Sequence, residues 1–360
     1  MVVFDTDFPA DSLEFCPTIG YQDIFVCGTY NLLEQPPSQP ESDEVGLGVT
    51  QNRRGQCLVF RTNPSENNLL RQIQSFDLPA VLDMKWSYAS KHGSPLLGIA
   101  DSKGSVTLHE WREESLSQVD SIRCAPVDIL CLSLDWSNRR LGGTDLGSLV
   151  VSLSNGSICI LKPTDGAGLS VIDTWHAHDY EPWVAAWDYW SSDIVYSGGD
   201  DLKLKAWDIR QGCTQPTFVN KRFDAGVTSI QSHPHVQHLL AVGSYDSSVR
   251  IFDARQLGSP VVQANVGGGA WRVKWHPDEA RKEDLLVACM HDGFKVVRFG
   301  PTTDDRDRAF SGEPEVVKRR DDHESMAYGA DWSHASPLAN GETLIGGCSF
   351  YDHKMSLWSA

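Results

Sequence analysis

Four residues in the second half of the chain each stand immediately before an aspartate in a short turn: Asp200 in SGGDD, Tyr245 in GSYDSS, His291 in ACMHDGF and Tyr351 in CSFYDH. An imidazole with an ordinary pKa of about 6.5 suits general-base work at neutral pH. A carboxylate can orient and charge-stabilise that base, and a phenol can donate to a developing oxyanion. His291 is the candidate base, Asp200 or Glu181 its orienting carboxylate, and Tyr351 or Tyr245 the donor. The set acts together only if the fold carries these turns to one opening.

The elements that would do so repeat along the chain. An aromatic followed by a small or polar residue recurs at Trp86, Trp136, Trp187, Trp275 and Trp332. Ser232-His233-Pro234 takes the same place in a further copy, and Phe15-Cys16-Pro17 reads as the first. From Trp86 onward the intervals run from 43 to 57 residues, close to one propeller blade each. Short alternating strands punctuated by Gly, Asn and Asp surround each aromatic, which is the pattern of antiparallel meanders. Residues 178–210 resemble a WD repeat, with His178, Ser197, Asp201 and Trp207 at the places of that family's hydrogen-bonded brace. His323 stands five residues before Tyr328, as His178 stands five before Trp183, and inherits the same brace reading. The fold expected is all-β: a seven-bladed WD-repeat propeller over 1–360, one domain, closed by a strand from residues 2–8 completing the last blade. A flexible insertion is expected at 34–55 and a polar loop at 301–322.

Composition narrows the classes. The 360 residues carry 41% hydrophobic and 22% charged side chains, as in soluble globular proteins. A net charge of −17 argues against nucleic acid as main partner and suits a cationic one. Nine scattered cysteines without a C-x-x-C pair, no basic leader and no long apolar run point to a reducing, cytoplasmic setting, away from membranes. The close histidines of HAHDYE and HPHVQH lack zinc-site spacing, so no metal and no cofactor are expected.

HDYEPWVAAWDYW, GGGAWRVKWHP, ACMHDGF, YGADWS and CSFYDHKMSLW, taken together in this order, resemble the WD-repeat diphthine methylesterases of diphthamide synthesis. The resemblance covers about 175 to the C-terminus, with a weaker match before it. It implies a monomeric carboxylic-ester hydrolase that removes a methyl ester from methylated diphthine on elongation factor 2. Its substrate would be a histidine bearing a trimethylammonium group, which needs aromatic faces and nearby negative charge. Trp183, Trp271 and Tyr328, each four residues before a repeat aromatic, and Tyr245 are the candidates for that contact; other copies have Leu82, Leu132 and Thr228 there. The same aromatics also suit plain packing. The attacking group is left open between an activated water and Cys289, Cys348 or Ser349. The competing expectation is a non-catalytic WD-repeat scaffold, because most propellers are binding platforms.

Overall fold

The recurring aromatic ends the innermost strand of its unit and wedges between neighbouring sheets. Trp86, Trp136, Trp187 and Trp332 are almost wholly buried. Three of them donate the indole N–H to a carbonyl of the preceding unit: Trp86 to Glu14 at 3.2 Å, Trp136 to Lys85 at 2.9 Å and Trp332 to Lys274 at 2.9 Å. A large flat ring with one polar edge meets both demands at once.

A computed structural model describes residues 2–33, 52–63, 69–88, 93–140, 145–164, 168–300, 310 and 312–360. These residues form seven antiparallel sheets arranged as a β-propeller. The innermost strands are Ala10–Phe15, Val81–Trp86, Cys131–Trp136, Val184–Asp188, Val227–Ser232, Arg272–Trp275 and Ala327–Trp332, which begin blades 1 to 7. Blade 7 has three strands from residues 327–359, and Val2–Asp5 supplies its outer strand by pairing with Lys354–Leu357. Among the described residues no helix is long and apolar enough to cross a membrane.

Side chains on the inner strands stitch each blade to the next. Asp83 accepts from the Leu134 amide at 3.1 Å, Asp135 from Trp187 at 2.9 Å, and Ser229 from Val273 at 3.1 Å. Asp331 accepts from Phe15 at 2.9 Å, which joins blade 7 to blade 1. The same strands line a charged axis. Glu14 faces Lys85 at 3.0 Å, Arg139 at 3.9 Å and Lys274; Asp83 faces Lys85 at 2.5 Å and Arg272 at 3.5 Å. Arg139 also meets Asp135 at 3.3 Å, and Lys274 meets Asp331 at 3.4 Å. Four cations and four carboxylates thus neutralise one another where water is scarce, as buried charges require.

Two stretches expected as loops are partly strand. Most of the 34–55 insertion lies outside the described residues, but Arg53–Gly55 already belong to the strand Arg53–Thr62, where Arg53 and Arg54 pair with Leu32 and Asn31. Within 301–322, residues Pro314–Arg320 form the outer strand of blade 6 against Phe294–Phe299. Its outward face is solvated, so polar side chains there are compatible with a strand and hid it in the sequence.

Candidate functional site

Where the inner strands begin, the rings form a continuous run across the propeller face. Trp183 and Trp271 lie 5.5 Å apart between centroids, Tyr245 and Trp271 5.7 Å, and Trp271 and Tyr328 4.9 Å. The run continues through Phe350, 5.4 Å from Tyr328, to Tyr30, 6.0 Å further on. All these rings are half-buried. Trp271 also holds a buried indole N–H without an acceptor among the described residues.

The GGG run explains how Trp271 gets there. Gly267 adopts a φ of 82°, and a Cβ on Gly268 would lie 2.1 Å from the Cys289 carbonyl oxygen. Only glycine lets the chain press so closely against the ACMHDGF turn before entering the strand. The Trp271 amide then donates to the Ala288 carbonyl at 2.9 Å.

Carboxylates flank the rings. Asp200 accepts from the Trp183 indole N–H at 2.7 Å. Burial raises its pKa, and the charges of Glu181 and Asp201 add to this while the Trp183 bond opposes it. Glu181 is half-buried where blade 4 begins, and its carbonyl accepts from the Asp200 amide at 3.0 Å. Asp11, on the first inner strand, is a residue that sequence reading missed. It is 8% exposed, and burial pushes its carboxyl up to about 7 against the pull of Arg272. It has no hydrogen bond or ion pair among the described residues. Its charge reaches the phenols of Tyr30, Tyr245 and Tyr328, adding to the larger effect of burial, which raises all three and brings Tyr328 to about 12. A signal for Asp11 was present: it stands four residues before Phe15, in the same register as Trp183, Trp271 and Tyr328.

His291 and Tyr351 do not join the carboxylates, although the Tyr351 ring packs edge-on against Phe350 at 5.0 Å. Both side chains are exposed, Tyr351 by 70%, and no hydrogen bond links either to Asp200, Glu181 or Tyr245 among the described residues. The reason is turn length. Ser197, Val242, Val287 and Gly347 occupy equivalent strand positions, opposite Ala185, Ile230, Val273 and Ala330. The turn aspartate follows four residues later at Asp201 and Asp246, but five later at Asp292 and Asp352. In blades 6 and 7 the extra residue displaces His291 and Tyr351 to the rim. Met290 (φ 45°) and Phe350 take the inward places instead. Asp292 is held by Lys295 and, at 2.5 Å, by Arg319.

The remaining candidates sit in the blades. His178 bonds Asp201 at 2.8 Å and Ser197 at 2.7 Å, and the Trp207 indole N–H donates to Ser197 at 2.9 Å. His323 likewise bonds Ser349 at 2.5 Å and Ser356 at 2.7 Å. Ser349 is fully buried and donates to Asp352, so its hydroxyl serves blade 7. Burial pushes the Cys289 thiol up to about 12, and burial with neighbouring Cys27 raises Cys348, which keeps both as poor nucleophiles. His233 and His235 each engage a carbonyl, of Lys282 at 2.9 Å and Pro277 at 2.8 Å.

Aromatic faces beside half-buried carboxylates hold a cation by charge and quadrupole, without needing it to donate a hydrogen bond. The architecture is that of a WD-repeat propeller with such a surface at one end of its axis. A chain in the crystal structure of the mitotic checkpoint complex shares the fold alone, with TM-score 0.68 at 17% identity over 100% of this chain and 91% of that one. No family model matches the chain. Among curated proteins, the mouse diphthine methyltransferase is 39% identical over 339 residues, 91% of this chain and 68% of its own length. The human diphthine methyltransferase is 38% identical, covering 91% and 73%, and the Dictyostelium discoideum homologue is 36% identical, covering 98% and 96%. The chain belongs to the diphthine methyltransferase family.

That membership corrects the expected reaction. The relatives are named as transferases, so the expectation of a carboxylic-ester hydrolase is overturned. The motifs that carried the resemblance supply aromatic and acidic side chains, which suit a cationic group whatever reaction follows. They hold no information on the direction of methyl chemistry.

Proposed function

We propose that the chain takes part in methyl transfer during diphthamide biosynthesis, with diphthine on elongation factor 2 as the group received by its aromatic face. The observation that carries this reading is the run Trp183–Trp271–Tyr328 with Tyr245, bounded by the half-buried Asp200 and the buried Asp11. A permanently cationic head placed there gains from the ring faces and from both carboxylates, and loses little on leaving water. A transferase also draws on a methyl donor as co-substrate; the residues named here bind and orient the acceptor. His291, Glu181 and Tyr351 stand at the rim, and because a permanently cationic head carries no proton to remove, none of them is needed as a base. The protein would act as a monomer, in the cytoplasm, on a folded protein substrate.

The test counts methyl groups on the modified histidine of elongation factor 2 by mass spectrometry, in cells with and without this chain. The count should change when the chain is lost, return with the parent sequence, and stay unrestored with Trp271→Ala. A non-catalytic scaffold predicts an unchanged count in all three, and that outcome would sink the proposal.

A further inference from the structure

At the opposite end of the axis, the loops that join first and second strands surround a cavity of about 360 Å³. Tyr88, Arg139, Arg140, Trp190, His235 and His334 are among the residues that line it. Its size falls within the range of small-molecule sites. It has no part in the aromatic face described above, and no residue of that face lines it.

Two adjacent arginines present unused capacity to this cavity. Arg139 is 7% exposed, and its terminal nitrogens meet Asp135 and Glu14 on the charged axis. Its Nε–H is buried and has no acceptor among the described residues. A buried donor left unpaired is a deficit that an incoming oxygen acceptor removes. Arg140 has no carboxylate partner among the described residues; its guanidinium carbon lies over the Trp190 ring, 3.7 Å from the centroid. That ring is fixed from behind, because its indole N–H donates to the His233 carbonyl at 2.9 Å.

The walls favour a flat ligand. The Arg139 guanidinium lies 5.6 Å and 6.0 Å from the ring centroids of Tyr88 and Tyr189. Burial pushes the Tyr88 phenol up to about 12, and burial with the Arg139 charge holds His334 down at about 3. Both are therefore neutral at physiological pH and able to hydrogen-bond without adding charge. Two carboxylates line this space: Asp331 is engaged by Lys274 at 3.4 Å and by the Phe15 amide at 2.9 Å, and Glu279 is exposed to solvent.

We infer that this cavity is a binding site for a small aromatic acid, a planar ring bearing a phosphate or carboxylate. Its oxygens meet the Arg139 Nε–H and the Arg140 guanidinium while the ring lies against Tyr88 and Trp190. The phosphate and carboxylate forms share this chemistry, and the probes below separate them.

Isothermal titration calorimetry on the whole chain would use adenosine 5′-monophosphate, benzoate and inorganic phosphate. Saturable binding of one ring-bearing probe is expected, at least tenfold tighter than inorganic phosphate. Which of the two binds decides between phosphate and carboxylate. Arg140→Gln, which leaves the charged axis intact, should weaken it by roughly tenfold, and Trp190→Leu by several-fold. Arg139→Lys keeps the axial charge but removes the Nε–H, and should weaken the same probe. The inference is overturned if the folded parent binds neither ring-bearing probe, or if binding is indifferent to both Arg140→Gln and Trp190→Leu.

Discussion

Trp183 donates its indole N–H to Asp200 at 2.7 Å, so the carboxylate that supplies charge to the aromatic face also fixes the orientation of its first ring. Removing the charge while keeping an oxygen acceptor separates these two roles. Asp200→Asn should weaken binding of phenyltrimethylammonium by roughly five- to tenfold, the worth of about 1 kcal/mol of cation attraction. Trp183→Phe, which keeps a ring but frees the carboxylate, should raise the Asp200 pKa further. Tryptophan fluorescence titration measures the first and carboxyl NMR chemical shifts the second; equal affinity of parent and Asp200→Asn would remove Asp200 from the cation site.

Asp11 trades stability for charge. Burial raises its folded pKa to about 7 from an ordinary 3.8. The folded state therefore holds this proton more tightly than the unfolded chain. Its contribution is fully present below the unfolded value and is lost as pH rises towards 7. Asp11→Asn should stabilise the fold at pH 8 by on the order of a few kcal/mol, read as a higher thermal midpoint, and leave the midpoint unchanged near pH 3.5. The same substitution should abolish the gain in quaternary-ammonium affinity that the parent shows between pH 6 and 8. A parent affinity that is flat over this interval would show that Asp11 does not face the cation.

The blade brace has a structural consequence only. His178→Ala removes bonds to Asp201 and Ser197 from a site where His178 is almost fully buried. A loss of about 2–4 kcal/mol is expected, read as a lower urea midpoint, with quaternary-ammonium affinity unchanged below the transition. The brace is also acid-labile. Burial lowers the His178 pKa, and His178 with the nearby lysines outweighs burial to hold Asp201 at about 2. Both groups stabilise the fold above their unfolded pKa values and lose that contribution as pH falls, so the parent should destabilise from about pH 6.5 downward and His178→Ala less so.

Glu14 sits among Lys85, Lys274 and Arg139 and is 2% exposed. Glu14→Gln leaves three buried cations short of one carboxylate and should cost about 3–5 kcal/mol. Adding Lys274→Met removes one of those cations. The double variant should recover part of the loss, a coupling readable as a non-additive shift in denaturation midpoint.

The repeat aromatics were legible because each must be a large ring with a polar edge to fill a blade junction, a demand that shows at every interval. The rings of the site were legible for a related reason: Trp183, Trp271 and Tyr328 occupy the register of Leu82 and Leu132, where an aliphatic would suffice for packing. Asp11 was missed although the same register marks it, because an acid in that place has no counterpart in the other copies. The rim position of His291 was not legible. Counting back from the turn aspartate assumes turns of equal length, and blades 6 and 7 each carry one residue more. The axial ion pairs were also out of reach, since Glu14 and Lys274 meet only through ring closure.

Closure itself has a consequence for how the protein comes into being. Val2–Asp5 pairs with Lys354–Leu357, so the partners of this one ladder are separated by nearly the whole chain. Blades 2 to 6 are each complete within a local stretch and can assemble in order as they leave the ribosome. The first strand cannot; it waits with an open edge until residues 354–359 have emerged. At high concentration that waiting strand can enter the seventh sheet of another copy in the same register, giving a strand-swapped dimer whose two rings are each closed by the other's beginning.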